Sequence, residues 1–172
     1  MPTNPPPYVG QLENTVRDAE RWLMDLPDQT LRWKPTATAW SIKEIIGHLI
    51  DSAANNHQRF VRAEMQDDLV FGGYAQEHWV RAQRYDDAPW NDLVQLWSSY
   101  NRHLARVMAA VPERVRDTPR ARHNLHEIGW RPVDANHPAT LDHLMHDYVL
   151  HLEHHLSQVR DRVRGAEVAT SA

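Results

Sequence analysis

Apolar positions recur at three- and four-residue intervals in four stretches of the chain, the spacing of helices that bury one face. From about Gln11 to Leu26 the set is Leu12, Val16, Ala19, Leu23 and Leu26. The second stretch opens with Ser41 followed three residues later by Glu44, a capping box, and the stripe of Ile42, Ile45, Leu49, Ala53 and Phe60 predicts a helix to about Glu64. Pro89 precedes the third, from about Asn91 to Val111, with Leu93, Leu96, Trp97, Tyr100, Leu104, Val107 and Met108 in phase. The fourth starts near Pro138 to Thr140 and continues to about Val163.

The connections differ in kind. Gly72 and Gly73 interrupt the pattern before a shorter helix over Gln76 to Gln83. Residues 112–139 carry few helical or strand signals, and an unstructured run of that length in a compact domain is often functional. No alternating strand pattern and no internal repeat appears. The expectation is an all-α four-helix bundle over residues 11–164, flanked by flexible tails at 1–10 and 165–172.

Composition removes several function classes. The chain has no cysteine, which excludes disulfides, thiolate metal ligands and a cysteine nucleophile. A net charge of −4 with mixed signs gives no footprint for nucleic acid, and the arginines at 114, 116, 120 and 122 read as a solvated loop. No apolar run approaches the roughly 20 residues of a membrane span. The opening MPTNPPPYVG lacks the regions of a signal peptide, so the cytoplasm is the expected compartment.

Histidine carries the candidate chemistry. In HDYVLHLEHHLSQV, residues 146–159, the phase separates the histidines at about 100° per residue. His151 and His155 share the apolar arc of Leu141, Leu144, Met145, Tyr148, Leu152 and Val159, whereas His143, His146 and His154 point toward solvent. Four residues apart on one face, His151 and His155 can aim ring nitrogens at a point about 2 Å from each, a chelating geometry. The same pair also reads as core histidines hydrogen-bonded to neighbours. Glu153 is out of phase for an HExxH metalloprotease, and no Glu has a His three residues later as a di-iron bundle needs. The best candidate for a third ligand is His48, in a polar strip with Glu44, Ser52, Asn55 and Arg59 that reads equally as a solvated face.

The segments WSIKEIIGHLIDSAANNHQRF, from Trp40, and HLEHHLSQV, from His151, resemble the two signature regions of the DinB-like superfamily, especially its YfiT-type metal-dependent hydrolases. The resemblance implies a four-helix bundle, often dimeric, with one divalent ion such as nickel or zinc held by three histidines that map onto His48, His151 and His155. It also implies two chemistries, because family members include enzymes that use a low-molecular-weight thiol such as bacillithiol or mycothiol. Three neutral imidazoles leave coordination positions open, as in catalytic sites, for water in a hydrolase or thiolate in an S-transferase. A non-catalytic metal- or ligand-binding bundle is the alternative outside enzymes.

Supporting roles follow from position. Asp51, three residues after His48, and Asp147, four before His151, are candidates to orient an imidazole or act as a base, with surface ion pairing as the plain alternative. Gln158 belongs to the signature ending, as a site neighbour or a packing residue. Arg59 is the candidate to bind an anionic group of a small-molecule substrate. Tyr100, His123, His126, Trp130 and His137 lie on the third helix or long connection, with no feature that selects them, and the seven tryptophans read mostly as packing.

Overall fold

In the computed structural model, which describes residues 5–171, each of the four predicted stripes is a helix: α1 (Pro7–Met24), α3 (Ile42–Ala63), α5 (Trp90–Ala110) and α8 (Leu141–Ser171). Shorter helices punctuate the connections: α2 (Asp28–Leu31), α4 (Gln76–Gln83), α6 (Glu113–Asp117) and α7 (Leu125–Ile128), with a 3-10 turn at Tyr85–Asp87. The predicted capping box is present in both halves. Ser41 Oγ accepts from the Glu44 N–H at 3.2 Å, and the Ser41 N–H donates to Glu44 Oε2 at 2.8 Å.

Two expected tails are helical instead. Pro7 sits at the first position of α1, where its fixed φ suits the helix and its missing N–H costs nothing, so the helix starts four residues before Gln11 and buries Tyr8 and Val9. Residues 1–4 of the expected N-terminal tail, and residue 172, lie outside the described residues. At the other end α8 continues through Gly165 to Ser171, because the Trp33 ring packs on Gly165 where a Cβ would lie 2.3 Å from it, and Ala166 is buried beyond.

The packing order differs from the chain order. Helices α3 and α1 each pack against α5 and α8, so α1 and α3 face across one diagonal and α5 and α8 across the other. Trp90 Nε1 donates to the Leu23 carbonyl at 2.9 Å, placing the start of α5 beside the end of α1. By contrast α3 and α5 are parallel: Lys43 Nζ donates to the Asp86 carbonyl near their starts, and His57 meets Tyr100 further along. Two parallel neighbours need a connection that returns the length of the bundle, which is why residues 64–89 are long and carry α4 back along α3.

Helix α8 runs antiparallel to α3, with the Phe60 ring edge-on to Tyr148 and Arg162 Nε donating to the Trp40 carbonyl. The core between the four helices includes Trp97, Phe60, Ile45, Leu49, Leu104 and Met108, all fully buried. The two long connections are joined to each other. Leu69 N–H donates to the Arg122 carbonyl, Asn124 exchanges hydrogen bonds with the Phe71 backbone at 3.0 and 2.9 Å, and Arg120 pairs with Ala139. Residues 112–139 are thus held by short helices and isolated bridges whose periodicity is too brief to read from sequence. Among the described residues no helix is long and apolar enough to cross a membrane.

Candidate metal centre

Three imidazoles from two helices meet where α3 crosses α8. His48 is wholly buried on α3, one turn past the capping box; His151 and His155 lie on successive turns of α8 and are half-buried. The Nε2 atoms of His48 and His151 are 3.3 Å apart, those of His151 and His155 are 3.0 Å apart, and the three donor atoms lie within 4.8 Å of one another. Nitrogens bound about 2.0–2.1 Å from one tetrahedral ion would be separated by about 3.3–3.4 Å. The spacing is close to that of a chelating set.

Hydrogen-bond accounting points the same way. Gln158 Oε1 lies 2.8 Å from His155 Nδ1, and its amide nitrogen lies 3.1 Å from His154 Nε2. With the Gln158 oxygen as acceptor, His155 carries its proton on Nδ1 and turns a lone pair of Nε2 inward. One Nε2–H on His151 cannot serve both neighbours well. Lone pairs facing one another suit a cation better than they suit a hydrogen-bonded core.

Burial also keeps the rings neutral. Desolvation first, and then the neighbouring imidazoles, pull His48 to about 3 and His151 to about 2. Desolvation lowers His155 to about 4 against the Gln158 contact, which raises it. The Trp40 ring lies 4.9 Å from His48 and 6.3 Å from His155, walling one side of the cluster.

The other side opens on a cavity of about 440 Å³, walled by Ser52, Asn56 and Arg59 of α3, Tyr74, Trp130, and His151 and His155 of α8. His154 is exposed, as its phase predicts, yet it borders this cavity and packs 5.2 Å from Trp130. The reach of the Trp130 ring to His151, at 6.3 Å, depends on Asp147. That carboxylate is buried and accepts from the backbone N–H groups of Trp130 at 2.8 Å and Arg131 at 2.9 Å. Its hydrogen bonds therefore hold the loop over the site, rather than a histidine ring.

Asp51 is likewise buried and likewise engaged elsewhere. Its Oδ1 accepts from the Tyr85 hydroxyl and the Gln83 amide, each at 2.6 Å, while Oδ2 is buried without a partner. Burial raises its carboxyl and those two hydrogen bonds oppose the rise. The arrangement depends on Gly47, where a Cβ would stand 2.0 Å from the Tyr85 ring. Tyr85 and Gln83 had no sequence signal, since their approach to α3 follows from the left-handed turn at Arg84, φ 51°.

The remaining named residues separate by contact. Of Tyr100, His123, His126, Trp130 and His137, only Trp130 borders the cavity. Tyr100 meets His57, His123 bonds within the long connection to His137 O and Leu125 N, His126 pairs with Glu127, and the His137 ring with Asp134. Arg59 is 6% exposed, with its guanidinium on Asn56 Oδ1 at 3.3 Å and the Gly72 carbonyl at 3.0 Å.

Comparison with known proteins agrees with this architecture. YfiT from Bacillus subtilis, described as a probable metal-dependent hydrolase with an unusual four-helix bundle topology, superposes with a TM-score of 0.71 at 16% identity, over 90% of this chain and 83% of that one. At that identity the likeness establishes the fold. No curated protein matches the chain. The DinB superfamily model matches residues 11–159, a span that contains all four long helices but for the ends of α1 and α8, and both signature segments; the chain belongs to the DinB superfamily.

Proposed function

We propose that this chain is a divalent-metal-dependent hydrolase of a small molecule, with His48, His151 and His155 as the ligands. The observation that carries the reading is the convergence of three neutral imidazoles, His151 and His155 with Nε2 atoms 3.0 Å apart on the wall of a 440 Å³ cavity and His48 buried behind them. These three residues would hold a divalent ion, which would supply Lewis-acid activation of an acyl group and of water. The chain's own contribution is positional: Gln158 fixes the tautomer of His155, Trp40 shields His48, and Asp147 holds the loop that places Trp130 beside His151. Zinc or nickel as the ion and a homodimer as the assembly belong to the same proposal. The description of YfiT as a probable metal-dependent hydrolase supports it by fold.

The test is elemental analysis of untagged protein, followed by hydrolysis assays on ester, amide and lactone panels with the metal-loaded and metal-stripped forms. Stoichiometric metal and metal-dependent hydrolysis are expected. No bound metal under any supply would overturn the reading. Parallel assays with bacillithiol, mycothiol or glutathione separate thiol transfer, which would consume an electrophile only when thiol is present. A His151→Ala protein that loses fold and metal together would favour a purely structural ion.

A further inference from the structure

On the wall of the cavity beside the three histidines lies a buried cation that no carboxylate contacts. Arg59 follows Ser52 and Asn56 at helical spacing on α3, and all three wall the cavity that His151 and His155 also line. Its guanidinium touches only neutral acceptors, Asn56 Oδ1 and the Gly72 carbonyl, and among the described residues no carboxylate lies within 4.0 Å of it. Tyr74 beside it stays neutral at pH 7, its phenol pushed up to about 12 chiefly by burial. The nearest acids on the wall have other engagements, Asp147 with Arg131 and the loop backbone, Glu127 with His126 at the rim.

Arginine is seldom this buried unless paired, because neutral hydrogen bonds only partly offset the cost of removing its charge from water. Two of its five N–H groups are occupied, which leaves donors for a ligand. A role limited to tethering Gly72 to α3 would need one donor and no charge.

We infer that Arg59 anchors a carboxylate of the substrate, so that the molecule hydrolysed is a small monoanion with its carboxylate at Arg59 and its reactive group at the histidines. The second half of that statement rests on the proposed metal site; the anchor does not. One cation, with Asp147 and Glu127 on the same wall, matches a single negative charge better than the two of a phosphate. Eleven residues separate His48 from Arg59, roughly 16 Å of helix rise. Arg59 reaches back to Asn56, as helical side chains do, which shortens the span to on the order of 10 Å.

Two titrations test the inference. In the first, protein stripped over a chelating resin, with no soluble aminocarboxylate present, is titrated with hexanoate, hexanamide and hexylphosphonate by NMR. Hexanoate is expected to bind at least tenfold tighter than the amide in the wild type, and Arg59→Met is expected to erase that difference while Arg59→Lys keeps part of it. In the second, the zinc-loaded protein is titrated with suberic monohydroxamate and its methyl ester. The acid is expected to bind at least tenfold tighter than the ester in the wild type and equally in Arg59→Met, with ester affinity unchanged. Acid and neutral partner binding alike in the wild type would overturn the anchor, whether or not the variants fold. A preference for the phosphonate would overturn the carboxylate assignment. An intact first titration with no zinc-dependent binding of the ester would leave the anchor standing and remove the metal site.

Discussion

Two layers of the same bundle treat buried polar groups in opposite ways. In the Asn101 layer, Tyr148 donates to Asn101 Oδ1 at 2.5 Å and Asn101 Nδ2 donates to the Trp97 carbonyl at 2.9 Å, so the pair closes on itself inside an apolar core. One and two turns further along α8, His151 and His155 face His48 with Nε2 atoms so close that one N–H cannot satisfy both of its neighbours. Satisfied polar groups stabilise the fold by themselves; the histidine layer is poised for something the chain does not supply. Arg59, buried on the cavity that His151 and His155 also line and without a paired carboxylate, belongs with the second.

The largest effect that sharpens this contrast is expected from His151→Ala. Loss of stoichiometric metal, at least about 100-fold weaker binding given that removing a residue that merely orients a ligand costs about 10–100-fold, should accompany an unchanged helical spectrum. Metal retained at wild-type affinity would break the comparison. Acid should come next. The unfolded chain takes up histidine protons near 6.5, whereas the folded rings resist until about 4, 3 and 2, so unfolding binds protons as the pH falls below 6.5. Stability of the metal-stripped protein is therefore full above pH 7 and declines as pH drops toward 5, by up to about 1.4 kcal/mol per pH unit for each ring. Urea melts from pH 7.5 to 5 measure the slope, and a flat profile would contradict neutral buried rings.

Gln158→Ala is expected to weaken metal binding by about 10–100-fold, since it frees the His155 tautomer without removing a ligand. Competition with a chromogenic chelator reads this directly. Asn101→Ala belongs to the other layer. It should lower unfolding free energy by about 1–3 kcal/mol, by stranding the Tyr148 hydroxyl, and leave metal affinity within twofold. A change in metal affinity comparable to that of Gln158→Ala would mean that the layers are coupled.

Much of this contrast is legible in the amino-acid order. The phase of Leu141, Leu144, Tyr148 and Leu152 separated His151 and His155 from the outward histidines, and Ser41 with Glu44 located the start of the helix that carries His48. Helix starts and faces are local, and they are set by period and caps within a few residues. The ends were harder. Pro7 at the start of α1 falls in the expected tail 1–10, and Gly165, on which the Trp33 ring packs, falls in the expected tail 165–172. Asp51 and Asp147 were recognised as acids near the site, but not the backbone of Trp130 and Arg131 or the side chains of Tyr85 and Gln83 that hold them.

By itself, the amino-acid order determined four amphipathic helices, the absence of thiol chemistry, and two imidazoles sharing one face of the last helix. Tertiary structure alone decided that α3 lies antiparallel against α8 with His48 opposite that pair. It also decided that Ser52 and Arg59 of the polar strip, with Asn56 beside them, line a cavity rather than meeting solvent while Asn55 and Glu44 do not, and that no carboxylate pairs with Arg59 there. The reason is physical: a helix's period is encoded over one turn, whereas a cavity and the charge balance inside it are sums over residues as far apart as 48, 59, 130 and 155, which only packing brings together.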